Sequence, residues 1–278
     1  MNIQWYPGHM TKAKRAMEEA VKLIDLVIEL VDARAPLSSR NPEMDQLGKG
    51  KARLILLNKA DLADDKANDL WISYFSGLGF PAVKLNCRSG AGLKQIQGAV
   101  TEACKEKLER DKRKGIQNRP IRAMVVGIPN VGKSTFINAY AKKACTKTGN
   151  KPGVTKGNQW IRLSKLLELL DTPGILWPKF EDQEVGKKLA YIGSINDDIL
   201  NKEELALELL NLLLERYPQA LIERYGIDKT EALPALEEIG RVRGCLQKGG
   251  GYDLGKASNA FFDDFRSGKL GRITLELP

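Results

Sequence analysis

The sequence predicts an α/β fold, a mostly parallel sheet with flanking helices, followed by a smaller and mainly α-helical C-terminal domain. Two observations predict the sheet: short apolar, β-branched segments alternate with helical segments, and polar loops follow the apolar segments. A third predicts the second domain, because strand signals give way to leucine-rich helices beyond about residue 178. We therefore expect one domain over residues 1–178 and a second over residues 179–278.

The bulk composition limits the kind of protein that this chain can be. Its 278 residues carry a formal net charge of +9, which favours a polyanionic partner. The four cysteines lie far apart, so we expect a reduced protein without a zinc site. Charged residues interrupt the apolar segments, and the first residues lack the apolar stretch that a signal peptide contains. We expect a cytoplasmic protein with no signal peptide and no membrane contact.

The chain begins with W-Y-P-G-H-M at residues 5–10 and a basic amphipathic helix. Asp25–Val31 then reads as a buried strand, and the polar loop Asp32–Arg40 leaves its carboxyl end. Ligand-binding loops of parallel sheets gather at such strand ends.

The second predicted strand, Arg53–Leu57, is followed by Asn58-Lys59-Ala60-Asp61, which matches the motif N-K-x-D. A carboxylate at Asp61 can accept hydrogen bonds from guanine N1–H and the 2-amino group together, a donor pair that adenine lacks. Asn58 would hold the loop in place, and Lys59 would lay its apolar stem along the base. The motif therefore predicts guanine recognition.

A helix over Trp71–Leu78 and a strand over Ala82–Leu85 lead to Asn86-Cys87-Arg88-Ser89-Gly90-Ala91-Gly92-Leu93. This loop resembles the S-A-x-x-G-x-G-L/I loop of GTPases, in which a backbone N–H reads guanine O6. Asn86 and Cys87 replace Ser-Ala, which is tolerable if the main chain does the reading. A plain glycine-rich turn is the alternative.

The basic run at residues 105–122 is either a solvated helix with ion pairs or a surface for a polyanion.

A strand over Ala123–Val126 then leads into Gly127–Ser134, which fits the phosphate-loop pattern G-x-x-x-x-G-K-S/T. The glycines let the backbone approach an anion, Lys133 can neutralise phosphate charge, and the Ser134 hydroxyl can bind Mg²⁺. The candidate phosphate-binding residues are Asn130, Val131, Gly132, Lys133, Ser134, Thr135 and, in a later loop, Gly174.

A lysine-rich segment follows, within which Thr155 is the best candidate for a switch contact to Mg²⁺. Predicted strands over Gln159–Leu163 and Glu168–Leu170 lead to Asp171-Thr172-Pro173-Gly174, a D-x-x-G motif. Asp171 can hold Mg²⁺ through water, and the Gly174 N–H can sense the γ-phosphate. The candidate Mg²⁺ set is therefore Ser134, Thr155 and Asp171.

The C-terminal domain reads as a series of helices. Asn201 with Glu204 predicts a capping box, and the predicted helices are Glu203–Tyr217, Pro234–Leu246 and Gly255–Arg266. A strand signal returns only at Arg272–Leu277.

The order of these motifs is rotated. In common GTPases the phosphate loop precedes D-x-x-G and then N-K-x-D, whereas here N-K-A-D comes first. The same sheet can be built from either order, so we predict a circularly permuted P-loop GTPase domain. The chain then passes from Gly174 directly into the helical domain, so that nucleotide state can bias that domain and RNA binding there must bias nucleotide affinity.

Three features carry a family resemblance: the rotated motif order, the stretch W-Y-P-G-H-M and the stretch D-T-P-G-I-L-W-P-K-F-E-D. In these features the chain resembles the circularly permuted ribosome-biogenesis GTPases of the YlqF/RbgA type, and the resemblance covers essentially the whole chain. The resemblance implies a GTPase that acts late in assembly of the large (50S) ribosomal subunit. It further implies contacts with the subunit precursor, 23S rRNA and ribosomal proteins, and hydrolysis that the particle stimulates. We expect a monomer.

The sequence lacks one catalytic residue that many related GTPases have. Ile175 occupies the position where many relatives carry a Gln that orients the attacking water. Intrinsic hydrolysis should be slow, with Lys133 as one catalytic group. His9, the single histidine, is the candidate for positioning water, and the resemblance assigns it that role; packing or RNA contact is its alternative. Asn130 is a candidate K⁺ ligand, as in potassium-activated GTPases, or simply a loop residue that fixes local backbone.

Two other functions remain open at this stage. One is a GTP-dependent RNA-binding scaffold without significant turnover, and the other is a metabolic P-loop enzyme such as a small-molecule kinase. Asp61 argues against the kinase, as does the absence of an acceptor-substrate signature.

Overall fold

The computed structural model of the protein describes residues 15, 17–116, 119–141, 159–164, 166–171, 182–247 and 249–278. Contacts within the chain divide it into two compact units. The sheet unit contains all of the strands of the described residues and also Thr274–Pro278. The helical unit ends at Ile273. The predicted boundary after residue 178 falls outside the described residues and stays a prediction.

A 6-stranded sheet, in the order β3-β2-β1-β4-β6-β5, forms the centre of the first unit. Only β5 runs antiparallel to its neighbour; the other pairs are parallel. All strands predicted for this domain are present, with small displacements of their ends. They are β1 (Leu26–Asp32), β2 (Ala52–Asn58), β3 (Ala82–Leu85), β4 (Ile121–Val126), β5 (Gln159–Arg162) and β6 (Leu167–Asp171).

Helices flank this sheet, and apolar side chains of several of them are buried. Trp71 and Phe75, for example, join Val31, Ile55 and Leu57 in one fully buried cluster. The basic run forms a largely exposed helix, as one of its two interpretations predicts. The described helices of this unit are α1 (Glu43–Leu47), α2 (Asp65–Gly77), α3 (Ile96–Ala103), α4 (Lys105–Arg113) and α5 (Lys133–Ala141).

A buried carboxylate interrupts the apolar strand β1. Glu29 accepts hydrogen bonds from Arg53 Nη2 at 2.7 Å and from Arg40 Nε at 3.2 Å. Asp45 pairs with both of these arginines, and the rings of Phe80 and Phe75 lie against the guanidinium groups. A charge in the middle of this largely apolar strand is tolerable because both arginines that pair with it are buried as well.

The second unit is a set of packed helices. Asn201 accepts from the Glu204 N–H at 3.3 Å, which confirms the predicted cap, and leucines of the helix that follows are fully buried. Pro218 begins the next helix at once. The described helices are α6 (Gln183–Tyr191), α7 (Lys202–Arg216), α8 (Pro218–Tyr225), α9 (Ala232–Val242) and α10 (Leu254–Ser267). No helix in the described part of the chain has the length and apolar character needed to cross a bilayer.

The predicted strand over Arg272–Leu277 is wrong. These residues join no sheet, and Thr274–Pro278 packs on the sheet unit instead of extending the helical one. Its alternating pattern has another physical cause: Leu275 is buried, while Thr274 and Glu276 form hydrogen bonds with loops and side chains of the sheet unit.

Candidate nucleotide-binding site

The parallel strands deliver their carboxyl ends to one edge of the sheet. Asp32 at the end of β1 is in register with Asn58 at the end of β2, and Asn58 is in register with Leu85 of β3. On the other side, Val125 of β4 pairs with Asp171 of β6. Strand order reverses between β1 and β4, which is the topological switch point where open α/β sheets bind ligands. The N-K-A-D motif, the loop after β3 and the phosphate loop therefore leave the same edge of the sheet despite their rotated order.

The phosphate loop is a tight turn between β4 and α5. A Cβ at Gly127 would lie 2.7 Å from the Leu30 carbonyl oxygen, so no larger residue fits there without displacement. Asn130 has a φ of 60° and Gly132 a φ of 104°, conformations that L side chains rarely adopt. Helix α5 follows at once, and a helix N-terminus after such a turn is suited to bind an anion.

Lys133 is almost completely buried although it is charged. Its Nζ donates to the carbonyl oxygens of Gly127 at 2.9 Å and Ile128 at 3.0 Å. The ammonium group is thus held within the loop by neutral acceptors. Anionic phosphate oxygens form stronger hydrogen bonds than neutral carbonyls, so this group is positioned to turn to a phosphate.

The residues predicted for Mg²⁺ can be located only in part. Ser134 lies half-buried in the first turn of α5, beside Thr135, and Asp171 ends β6. His9, Thr155 and Gly174 lie outside the described residues. Among the described residues, no group of three or more His, Cys, Asp and Glu residues could hold a metal. A hydroxyl at Ser134 suits Mg²⁺, because Mg²⁺ in nucleotide sites takes few protein oxygens and completes its shell with phosphate and water.

Asn58 connects three loops of the site. Its Nδ2 donates to the Val131 carbonyl oxygen at 2.7 Å, and its Oδ1 accepts from the Cys87 N–H at 3.2 Å. The Ala33 N–H donates to its backbone carbonyl at 2.9 Å. A Cβ at Gly132 would collide with the Asn58 amide. The guanine motif and the phosphate loop are therefore physically joined.

The sequence reasoning missed two residues that hold Lys59. Asp32 accepts from Lys59 Nζ at 2.9 Å and, on the same carboxylate, from Arg34 Nε at 2.9 Å and Nη2 at 2.8 Å. Asp32 and Arg34 are both fully buried, whereas the Lys59 side chain is 26% exposed. Lys59 also adopts a left-handed φ of 59°, which turns the chain after β2. The sequence gives only one indication of this role, the position of Asp32 and Arg34 in the loop predicted after β1. Polar residues in such a loop are usually solvated, so the position alone does not reveal the contact.

The charges in this cluster shift one another's pKa values. Burial alone would raise the pKa of Asp32, but the Arg34 guanidinium and the Lys59 ammonium outweigh it and hold the pKa well below its usual range. Burial lowers the pKa of Lys59, and the repulsion from Arg34 adds to this while Asp32 opposes it. Asp32 therefore stays ionised at neutral pH and provides a fixed negative partner for Lys59.

The Asp61 carboxylate is exposed at the start of the loop that follows β2. Close by, burial together with the Asp61 charge raises the pKa of the Cys87 thiol to about 12, so Cys87 is a neutral residue at physiological pH. Asn86 folds its own loop, accepting from the N–H groups of Arg88 at 2.9 Å and Ser89 at 3.1 Å. The sequence predicts that a backbone N–H of this loop binds guanine O6. The Cys87 N–H already donates to Asn58 Oδ1, so a base oxygen that approached this N–H would compete with Asn58 for it.

Comparison with known proteins agrees with this geometry. Residues 122–226 match a family described as 50S ribosome-binding GTPase, a match that includes the phosphate loop but not the earlier N-K-A-D. Ribosome biogenesis GTPase A of Bacillus cereus is 51% identical over 100% of this chain and 95% of its own length.

Two solved structures of YlqF are also similar. A GDP-bound form has 28% identity and a TM-score of 0.67, covering 94% of this chain and 98% of its own. A GNP-bound form from T. maritima has 30% identity and a TM-score of 0.66, covering 96% of this chain and 98% of its own.

Gly132→Ala tests the contact between the two motifs. The added methyl group would displace the Asn58 amide and strain the loop by about 1–3 kcal/mol, so we expect GDP affinity to fall about ten-fold or more in a fluorescence titration. Gly98→Ala in α3 is the matched control, because its Cβ would meet nothing within 4 Å. Equal affinities for the two variants would contradict the described packing.

Proposed function

We propose, because this chain belongs to the ribosome biogenesis GTPase A family, that it is a GTP-hydrolysing switch for late assembly of the large (50S) ribosomal subunit. The chain is a GTPase with a role in ribosome assembly. The proposal adds the stage of assembly, the particle that is bound and the residues that act.

The observation that carries the proposal is the contact between Asn58 and the phosphate loop. The N-K-A-D motif and the phosphate loop are far apart in sequence, yet the Asn58 amide binds the Val131 carbonyl at 2.7 Å. One site that combines a base-reading carboxylate with a phosphate cradle selects guanine nucleotides over adenine nucleotides, because adenine has no N1–H and no 2-amino group to donate to the carboxylate.

We assign guanine recognition to Asn58, Lys59 and Asp61, with Asn86 and Cys87 contributing from the next loop. Asp61 is free to accept from the base because its carboxylate is exposed to solvent at the edge of the sheet. Lys59 is held by Asp32 so that its stem can cover the base face.

Phosphate binding is assigned to the loop and first helical turn. Lys133 would balance the β- and γ-phosphate charge. Ser134, Thr155 and, through water, Asp171 would hold Mg²⁺, which would neutralise phosphate charge. Gly174 senses the γ-phosphate. The remaining residues proposed to line the phosphates are Asn130, Val131, Gly132 and Thr135.

Catalysis in this proposal depends on His9. Because Ile175 cannot polarise water, another group must orient the nucleophile, and His9 is the single histidine of the chain. We propose that binding to the particle brings this positioning about, so that hydrolysis marks completed docking.

The surplus of positive charge supports 23S rRNA and ribosomal proteins of the 50S precursor as partners. Helix α4 exposes Lys105, Arg110 and Arg113. On the sheet, the Arg122 guanidinium lies 5.5 Å from the ring centre of Trp160, which is 42% exposed. An exposed indole beside an exposed arginine suits the stacking and phosphate contacts of RNA.

The helical unit gives weaker support for RNA contact. Its residues 197–238 are net acidic, Arg241 is paired with Glu238 at 2.6 Å, and Arg243 is paired with Asp264 at 3.2 Å. We propose that the helical domain nevertheless contributes to RNA binding. We also propose that the protein acts as a monomer in the cytoplasm.

Single-turnover hydrolysis of GTP, measured with and without immature 50S particles, tests the proposed function. We expect slow hydrolysis by the protein alone and an acceleration of about 10³ to 10⁵ when the particle completes the catalytic site. Lys133→Ala is the control and should hydrolyse little GTP in either condition. Binding without acceleration would favour the scaffold, and equal use of ATP would favour the metabolic enzyme.

His9→Ala separates nucleotide binding from catalysis. We expect GDP and GTP affinities near those of the wild type, but a reduction of about 10² or more in particle-stimulated hydrolysis, because only water positioning is removed. Met10→Ala serves as a control for disturbance of the same segment. An unchanged kcat for His9→Ala would discard this role.

The proposed K⁺ ligand Asn130 predicts a cation effect. Hydrolysis should be faster in K⁺ than in Na⁺ at equal ionic strength, and Asn130→Ala should remove the difference, since the ion would add positive charge beside the phosphates. Equal wild-type rates in the two salts would rule the ion out and leave Asn130 as a residue of the turn.

A further inference from the structure

The last residues of the chain form an ordered contact with the loop that follows β1. Both oxygens of the Glu276 carboxylate accept from Ser38, one from its N–H at 2.8 Å and one from its hydroxyl at 2.5 Å. The indole N–H of Trp71 donates to the Glu276 carbonyl oxygen at 3.1 Å. A carboxylate that takes two donors from one residue fixes the direction of that residue as well as its distance.

Two more hydrogen bonds extend this arrangement. The Leu275 N–H donates to the Arg34 carbonyl oxygen at 2.7 Å, and the Asp64 N–H donates to the Thr274 hydroxyl at 3.0 Å. Thr274 and Leu275 are buried. The segment Thr274–Glu276, which we name the C-terminal clasp, therefore holds the loop after β1 on one side and the start of α2 on the other.

The loop that the clasp holds is the one that fixes Lys59. Arg34 donates its backbone N–H and its guanidinium to Asp32, and Ser39, next to Ser38, accepts from the Asp32 N–H at 2.9 Å. Asp32 in turn accepts from Lys59 Nζ. Hydrogen bonds from Glu276 to Ser38, the peptide link to Ser39, and hydrogen bonds through Asp32 thus lead to a residue of the N-K-A-D motif.

We infer that the C-terminal clasp is a positioning element for guanine-nucleotide binding, which acts on Lys59 through the Asp32 loop. The inference rests on the proposed assignment of Lys59 to the base. The physical reason is preorganisation. A lysine side chain whose partner is already fixed loses less conformational entropy when a base binds beside it, so binding is tighter.

The clasp also continues directly from the helical unit, which ends at Ile273. Any change in the helical unit that pulls on this connection acts on the bonds made by Thr274–Glu276. By linkage, a partner that loosens the clasp weakens nucleotide binding, and bound nucleotide resists that loosening to the same extent.

Glu276→Ala tests this role. We expect the affinities for GDP and IDP to fall by about the same factor, of the order of ten-fold, because Lys59 covers the ring face that both bases share. Particle-stimulated kcat at saturating GTP should stay unchanged. Leu277→Ala, at a residue that is 63% exposed in the same segment, is the matched control and should bind both nucleotides as the wild type does.

A second measurement distinguishes positioning from general support of the fold. In a Lys59→Ala background, Glu276→Ala should cause no further loss of GDP affinity, whereas in an Asp61→Asn background the loss should persist. Ser38→Ala, which deletes one hydroxyl, should reproduce part of the effect if Glu276→Ala folds poorly, and Glu276→Gln should recover part of it. A loss of equal size with and without Lys59 would overturn the inference.

The wild type separates this inference from the proposed function. If wild-type protein binds ATP as tightly as GTP, the proposed function fails whatever the clasp does. If the wild type prefers GTP and Glu276→Ala binds GDP normally, the clasp has no role and the proposed function is unaffected.

Discussion

The nucleotide site depends on one side-chain amide at the end of a central strand. Asn58 donates to the phosphate loop through Nδ2 and accepts from the loop after β3 through Oδ1. An amide can do both at once, whereas a carboxylate could only accept and an apolar side chain could do neither. Because β2 and β4 lie on either side of β1, this one residue joins strand ends that are not neighbours in the sheet. The N-K-A-D motif, the loop after β3 and the phosphate loop are thus held together by hydrogen bonds of the chain itself.

Strand β1 carries buried charges whose partners are fixed. Glu29 and Asp32 both lie in this strand with almost no exposure, and each is matched by arginines, Arg53 and Arg40 for Glu29 and Arg34 for Asp32. Removing one member of such a pair leaves an uncompensated charge and costs about 3–5 kcal/mol. The loop after β1 is therefore held in one specific arrangement, which gives Lys59 a defined partner.

The sequence was informative wherever a local pattern decides the structure. Apolar, β-branched runs located the strands, and the loops after β2, β3 and β4 met because parallel strands end at a common edge. The cap at Asn201 was visible from residue types alone. These features depend on neighbours in sequence, or on a topology that a few strands determine.

The features that could not be predicted depend on distant partners. Nothing in the neighbourhood of Asp32 indicates that its carboxylate meets Lys59, since polar residues in a loop are usually solvated. The alternation of Thr274, Leu275 and Glu276 looked like a strand because one side is buried and the other polar. The same alternation is satisfied when Leu275 is buried and the polar side chains bind Ser38 and the start of α2 instead of a neighbouring strand.

The return of Thr274–Pro278 to the sheet unit has a topological consequence. The helical unit is an insertion within the other domain and not an appendage at its end, since the sheet-unit chain resumes after it. Ending the chain before the helices would delete part of the nucleotide domain as well. To obtain that domain alone, one would have to excise the helices and splice a short bridge across the gap, so that the final residues are retained.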